Sequence, residues 1–347
     1  MKMKKSMILL MCTVLVIGLL AGCSSNSPAP AETPETNAGS DDGSNGETIV
    51  LRLADTHNDG YVTVEADREF ARLVEEKTEG RVKVEVYPGA VLGDEKATIE
   101  QAQFGAIDFV RTSISPLSEF NKELGILMLP YLYRDVDHMF NVLDGEIGDD
   151  FLESLEENNL LGLTWFDGGA RNFYNTKKEV KSVEDLKGMK IRVQESKLMM
   201  DLVTSLGAVP TPMAFGDVYS ALQTGVIDGA ENNWPSYFST SHYEVAKYYT
   251  VDEHTRAPEV ILVSKMTFDK LSAEDQEAIK EAAKEASLFQ RVEWAKEEAA
   301  AEEAVVAKGA VITRLESNQE FQDAVQSMYA EFGAGYEDLI ERIINTK

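Results

Sequence analysis

Cysteine is nearly absent. The 347-residue chain has two, Cys12 and Cys23, and both precede residue 24, so the remainder has no disulfide framework and no cysteine-based metal site. Histidine is scarce too. His57, His138, His242 and His254 are scattered without ligand spacing, and each reads as an ordinary surface or packed side chain. His254 stands apart, because it sits between acids and Arg256-Ala257-Pro258-Glu259 at an expected crossing between lobes. The common catalytic signatures are missing: there is no G-x-S-x-G elbow, no H-E-x-x-H, no G-x-x-x-x-G-K and no G-x-G-x-x-G. Neither a cofactor nor a metal is expected, and no enzyme activity. Positive charge is in deficit, with 33 Lys and Arg against 60 Asp and Glu and a net charge of −27. That balance argues against nucleic acid and against broad adsorption to anionic lipid. Any anion site must therefore be locally positive within an unfavourable global field.

The start of the chain is different in kind. Residues 1–23 read as an export signal: Lys2, Lys4 and Lys5 form a positive region, and Met7 to Leu20 is an apolar run too short to span a membrane. Leu20-Ala21-Gly22-Cys23 resembles the bacterial lipobox, in which cleavage precedes a cysteine that is then acylated. Acyl chains on Cys23 would hold the protein at a membrane surface, on the outer face of the cell or in the periplasm. Loss of the three lysines would take the net charge from −27 toward −30. Residues 24–47 are rich in Ser, Pro, Ala, Thr, Asn, Gly and acids, lack apolar periodicity, and read as a flexible solvated tether.

From Thr48 onward the chain reads as an α/β protein. Apolar residues make up 44% of the sequence, enough for two compact lobes. Strands are expected at 49–54, 81–87, 106–112, 160–166, 189–193, 259–264 and 311–315, and Val82, Val84 and Val86 alternate cleanly with polar neighbours. Helices are expected over 61–78, from Asp94 to about 104, over 196–206 and over 215–224, with a helical stretch over 235–249. Strands alternating with helices predict a mainly parallel sheet. Ser272 caps a helix that can reach Lys308 before Gly309 ends it, long enough to cross from one lobe to the other. Asp55-Thr56-His57-Asn58-Asp59-Gly60 looks faintly like a calcium loop but lacks its twelfth-position acid, and reads instead as a polar turn able to face a ligand.

What the chain offers is recognition. Between Gly168 and Trp234 it sets two arginines, Arg171 and Arg192, beside glycines and amides at the edges of expected strands. A guanidinium grips both oxygens of a carboxylate in a planar fork. Gln194, Asn232 and Asn233 supply donors and acceptors together, as hydroxyl groups require, while Glu95 and Glu231 accept from sugar hydroxyls and Trp234 offers an apolar wall. These suit a polyhydroxylated acid better than a bare dicarboxylate. For Trp234 core packing, and for Glu95 a helix-start acid favoured by the dipole, are equally ready explanations.

From about Thr48 the chain resembles the extracytoplasmic solute-binding subunits of TRAP (tripartite ATP-independent) transporters. The resemblance is carried by Val91-Leu92-Gly93-Asp94-Glu95, Gly169-Ala170-Arg171, the run Asp185 to Val193, Pro210-Thr211-Pro212-Met213, the run Val218 to Gly225, and Asp228-Gly229-Ala230-Glu231-Asn232. It implies a two-lobed periplasmic-binding-protein-like fold with hinge strands and a lobe-spanning helix. Lobe I is expected to hold residues 48–168 plus 257–296, and lobe II 169–256 plus 297–347. It also implies that Arg192 forms the main ligand salt bridge, assisted by Arg171 and Asn232, and that a membrane permease is the partner. Ile191-Arg192-Val193-Gln194-Glu195-Ser196 and Glu231-Asn232-Asn233-Trp234-Pro235-Ser236 look like the members that bind hexuronates such as glucuronate and galacturonate. By that likeness Glu95, Arg111, Gln194 and His254 would contact hydroxyls or ring oxygens. A binding protein for another organic acid (dicarboxylate, aldonate or keto acid) and an enzyme acting on sugar acids are the alternatives.

Overall fold

A computed structural model describes residues 48–347, and the expected export signal, tether and Cys23 lie outside the described residues. Eleven strands occur among those residues: β1 Ile49–Ala54, β2 Val82–Tyr87, β3 Phe109–Ser113, β4 Leu160–Phe166, β5 Ala170–Asn175, β6 Lys190–Val193, β7 Val209–Pro212, β8 Gly229–Asn232, β9 Tyr248–Arg256, β10 Glu259–Ser264 and β11 Val311–Arg314. Five form one sheet in the order β2-β1-β3-β10-β4, and six form a second in the order β11-β9-β5-β8-β6-β7. Helices pack on both, giving a two-lobed α/β architecture with a cleft.

The sheets are mixed, which corrects the expectation of a mainly parallel sheet. Pairing is parallel between β1 and both β2 and β3, between β6 and both β7 and β8, and between β9 and β11. It is antiparallel where β10 lies between β3 and β4 and where β5 lies between β8 and β9. The antiparallel members are the strands that carry the chain between sheets. β4 runs into β5 through Asp167-Gly168-Gly169, and β9 runs into β10 through Ala257-Pro258. The two connections lie side by side, with Phe166 opposite Glu259 and Ala170 opposite Arg256. At Gly168 a Cβ would sit 2.2 Å from the Ala257 carbonyl oxygen, so no other residue fits the crossing.

The third connection is the helix Ala273–Ala307, 35 residues capped by the Ser272 hydroxyl, which accepts from the Asp275 amide. At 1.5 Å per residue it is about 50 Å long. Its small apolar face, Ala278, Ile279, Ala282, Ala283 and Ala286, packs against helix Val62–Lys77 and the first sheet. Its far end places Ala301 and Val305 among Trp234, Tyr237 and Tyr249 of the second sheet's core. The largest core also bridges the sheets, joining Val110, Leu124 and Leu127 to Phe173, Ile191, Leu198 and Leu202.

Local readings fail in two instructive places. The expected helix over 235–249 is helix Trp234–Ser239, a single turn at His242–Val245, and then the nine-residue strand β9. Ser241 at φ 58° breaks the helical run, and Tyr248-Tyr249-Thr250-Val251 is β-favouring sequence. Strand β5 carries Arg171, Asn172 and Asn175 yet is buried along its whole length, so no polar–apolar alternation marks it. The C-terminal region holds three short helices, Gln319–Val325, Ser327–Phe332 and Glu337–Asn345.

Candidate functional site

Three arginines are buried among the described residues, Arg111, Arg171 and Arg192, and their partners separate them. Arg111, on β3, spends its donors within the protein: Nε on Asp55 Oδ2 at 2.9 Å, Nη1 on Glu259 Oε2 at 2.9 Å and Nη2 on Asp55 Oδ1. Burial opposes its charge, but Asp55 and Glu259 overcome that and hold its pKa well above the ordinary value. Arg171, on β5, grips Glu231 of the neighbouring strand β8, with Nη2 on Oε1 at 2.8 Å and Nε on Oε2. Its Nη1 donates to Asn232 Oδ1 at 3.2 Å. Arg192, on β6, is 2% exposed and has no carboxylate partner among the described residues. Its Nε and Nη2 donate to the Met213 carbonyl at 3.0 and 2.7 Å, and its guanidinium carbon lies 5.9 Å from the Phe215 ring centre. Burial, which Glu231 only partly offsets, lowers its pKa, the reverse of the other two.

Arg192 lines a cavity of about 30 Å³ where loops of the two sheets meet. Gln194, Glu95, Thr56, Met213 and Phe215 also line it. Gln194 Oε1 is buried with no donor. Glu95 opens helix Glu95–Gln103, which Asp94 caps by accepting from the Ala97 amide; its Oε1 accepts from Ser113 N at 2.9 Å. A cavity of this size holds one or two waters. A six-carbon acid enters only if the walls move apart.

Behind Arg192 lies a charge relay. Asp252 Oδ2 is 2.9 Å from His254 Nδ1, and His254 Nε2 is 3.5 Å from Glu231 Oε2, the carboxylate that holds Arg171. Burial alone would depress the His254 imidazole, but Asp252 and then Glu231 push it up to about 9. Burial likewise opposes ionisation of Glu231, and Arg171 with His254 overcomes this to hold it at about 2. The imidazole stacks on Phe173, with ring centres 4.4 Å apart.

The structure thus brings Arg192, Gln194 and Glu95 to one cavity. Arg171, Asn232 and His254 are linked through Arg171 and Glu231 in a buried cluster of their own. Five residues sit away from the cavity in contacts of their own. Arg111 and His254 do not line the cavity: Arg111 is held by Asp55 and Glu259, and the Nδ1 edge of His254 by Asp252. Asn233 is a helix cap: its Oδ1 accepts from Ser236 N at 2.7 Å and its Nδ2 donates to Gly168 O at 2.8 Å. Trp234 is core, stacked on Tyr249 with ring centres 3.9 Å apart. Glu231, read as an acceptor for sugar hydroxyls, is fully buried against Arg171. Sequence reasoning missed Phe215 and Met213, whereas Thr56 lies in the polar turn read as able to face a ligand. Phe215 closely follows β7, the strand that pairs with β6, and that placement was a usable signal. Met213 acts through its carbonyl, for which side-chain chemistry gives no sign.

Comparison with known proteins identifies the family. The family described as DctP, bacterial extracellular solute-binding protein, family 7, matches residues 53–335. A solute-binding protein of Chromohalobacter salexigens is 42% identical over 80% of this chain and 82% of its own. Among solved structures, the TRAP periplasmic solute-binding protein of Bradyrhizobium sp. BTAi1 in complex with α/β-D-galacturonate is 46% identical, with TM-score 0.84 over 85% of this chain and 99% of that one. The Pseudomonas putida F1 protein with bound D-glucuronate is 39% identical, with TM-score 0.84 over 86% of this chain and 98% of that one. The chain belongs to this family, the extracytoplasmic solute-binding subunits of TRAP transporters, close to hexuronate-binding members, and its work is binding rather than catalysis.

Proposed function

We propose that the protein captures a hexuronate such as D-glucuronate or D-galacturonate, pairs its carboxylate with Arg192, and hands it to a TRAP permease. One observation carries the reading: Arg192 is a buried cation without a carboxylate partner among the described residues, and it lines the cavity between the sheets. A buried unpaired guanidinium is costly, and a ligand carboxylate supplies the missing charge and two charge-assisted hydrogen bonds. Gln194 and Glu95, on the same cavity, suit hydroxyl groups. Arg171 and Asn232 assist from the layer behind, held by the Glu231–His254–Asp252 relay. Bound galacturonate and glucuronate in the related structures support the same ligand class.

Residues 48–168 plus 257–296 form one moving body, and 169–256 plus 297–347 the other. They close about the paired connections at Gly168 and Ala257. Closure excludes water, which strengthens the ion pair. A micromolar dissociation constant corresponds to about −8 kcal/mol. Processing at Cys23 leaves the protein tethered by lipid outside the cell membrane.

The test is a thermal-shift panel on ligand-stripped protein with glucuronate, galacturonate, gluconate, succinate, malate, pyruvate and sialate. A ligand at 100 times its dissociation constant stabilises the fold by about 2.7 kcal/mol. A response to the uronates supports the reading. A response to another acid alone discards the sugar, and silence across the panel discards the anion site.

A further inference from the structure

Asp67 is a buried acid outside the relay just described. It lies in the second turn of helix Val62–Lys77, is fully buried, and neither carboxyl oxygen has a hydrogen-bond donor. Its neighbour Asp55, at the end of β1, has a full set. Asp55 accepts from His57 N at 2.6 Å, Thr63 Oγ1 at 2.9 Å, Arg111 Nε at 2.9 Å and Arg111 Nη2. Asp67 follows Thr63, whose hydroxyl donates to Asp55 Oδ2, by one turn on the same face of the helix, and the charges of Asp55, Arg111 and Glu259 act on its carboxyl. His57, stacked on Tyr61, and Glu95, 3.8 Å from Arg111 Nη1, complete the charged and titratable surroundings.

Charge counting places a proton here. One guanidinium, Arg111, is buried with three acids, Asp55, Glu259 and Asp67. Two carboxylates that share a site cannot both ionise without a donor between them. Asp55 accepts hydrogen bonds from His57, Thr63 and Arg111, and Glu259 accepts from Arg111 Nη1 at 2.9 Å, whereas Asp67 has no donor. A carboxylate buried without a donor is among the most costly arrangements in a protein, while a protonated carboxyl supplies its own donor.

We propose that Asp67 is held as a neutral acid that donates its proton to Asp55, and that this hydrogen bond positions the cleft wall. The route to the cleft is short. Asp55 side-chain and backbone acceptors shape the turn that follows β1: Oδ1 takes the His57 amide, and the Asp55 carbonyl takes the Ala90 amide at 3.1 Å. Thr56 and Ala90 both line the cavity that Arg192 lines. Asp67 is thus a positioning residue, acting through Asp55. Consistently, burial and then the charge of Asp55 raise its carboxyl well above the ordinary range.

The test compares the full chain with Asp67→Asn and Asp67→Leu. Asn mimics the neutral acid and keeps a donor, whereas Leu keeps bulk and loses the donor. An acid that retains its proton in the fold binds more protons folded than unfolded above its ordinary pKa of 3.8. Stability of the wild type therefore falls with rising pH relative to Asp67→Asn, until the folded group ionises. Denaturant titrations from pH 4.5 upward should show the folding constant of Asp67→Asn gaining about tenfold per pH unit over wild type. A flat ratio, or one that moves the other way, shows an ionised Asp67 and overturns the proposal. For positioning, affinity for D-glucuronate and D-galacturonate should stay within about threefold in Asp67→Asn and weaken by about tenfold or more in Asp67→Leu. Wild-type affinity in Asp67→Leu overturns the positioning role. If Asp67→Leu fails to fold, the pH slope of Asp67→Asn still decides the protonation. The affinity arm rests on the uronate reading; the stability arm needs no ligand, so the two can fail separately.

Discussion

Gln290 and Asp167 exchange a reciprocal pair of hydrogen bonds. Gln290 Oε1 accepts from the Asp167 amide at 2.9 Å, and Gln290 Nε2 donates to the Asp167 carbonyl at 2.8 Å. The mid-point of the long helix is thereby fixed to the backbone of the β4–β5 connection, one residue before Gly168. Ser287, one turn earlier, donates to the Trp165 carbonyl. Gln290→Leu leaves a buried amide and a buried carbonyl unpartnered, and should cost about 2–4 kcal/mol in denaturant titration.

Arg192→Met separates binding from folding. Because Arg192 has no acid to abandon, stability without ligand should be unchanged or higher by about 1–2 kcal/mol. Uronate affinity should fall by at least about a hundredfold. Calorimetric titration and thermal unfolding of the same preparation check both halves.

Arg171→Met does the opposite to the fold, because it strands Glu231 as a buried carboxylate. A loss of about 3–5 kcal/mol is expected. Removing both partners in Arg171→Met/Glu231→Met should recover most of it, and a double-mutant cycle measures the coupling.

Two pH limbs follow from the relay. The folded His254 imidazole titrates at about 9 against 6.5 for an ordinary histidine, so its contribution is complete below 6.5 and is lost as pH rises to about 9. That contribution is about 3 kcal/mol as an order of magnitude. Glu231 is held at about 2 against 4.5, so its contribution is present above 4.5 and is lost as pH falls toward 2. A stability–pH profile of His254→Asn should lack the alkaline limb and keep the acid one.

Gly168→Ala places a methyl group 2.2 Å from the Ala257 carbonyl, so the paired connections must separate. Lower melting temperature and weaker uronate binding are expected together, the first read by calorimetry and the second by titration.

Much of this fold was readable where one local rule acted alone. β2 alternates valines with charges. The long helix announces its start with Ser272 and its end with Gly309. The illegible elements are those in which tertiary contacts override pattern. β5 buries Arg171 and Asn172 because β8 and β9 supply their partners, so it lacks the apolar signature of a buried strand. Among the residues lining the cavity, Arg192, Gln194 and Glu95 could be picked out from residue type and resemblance. What separates Arg192 from Arg111 and Arg171 is the absence of an acid partner, a property of three-dimensional neighbours. Trp234 and Asn233 lie beside Asn232 in sequence but turn into the core and the helix cap, since residues on either side of a strand end point to different surroundings.

The small size of the Arg192 cavity has a kinetic consequence. Space for one or two waters means that a sugar acid meets a shut door, and opening must precede productive contact. The observed association rate should then rise with ligand concentration only until it reaches the opening rate, and level off there. Affinity measured at equilibrium is scaled by the fraction of molecules that are open. Variants that loosen the connections at Gly168 would therefore accelerate capture while shortening residence, and so trade scavenging speed against retention.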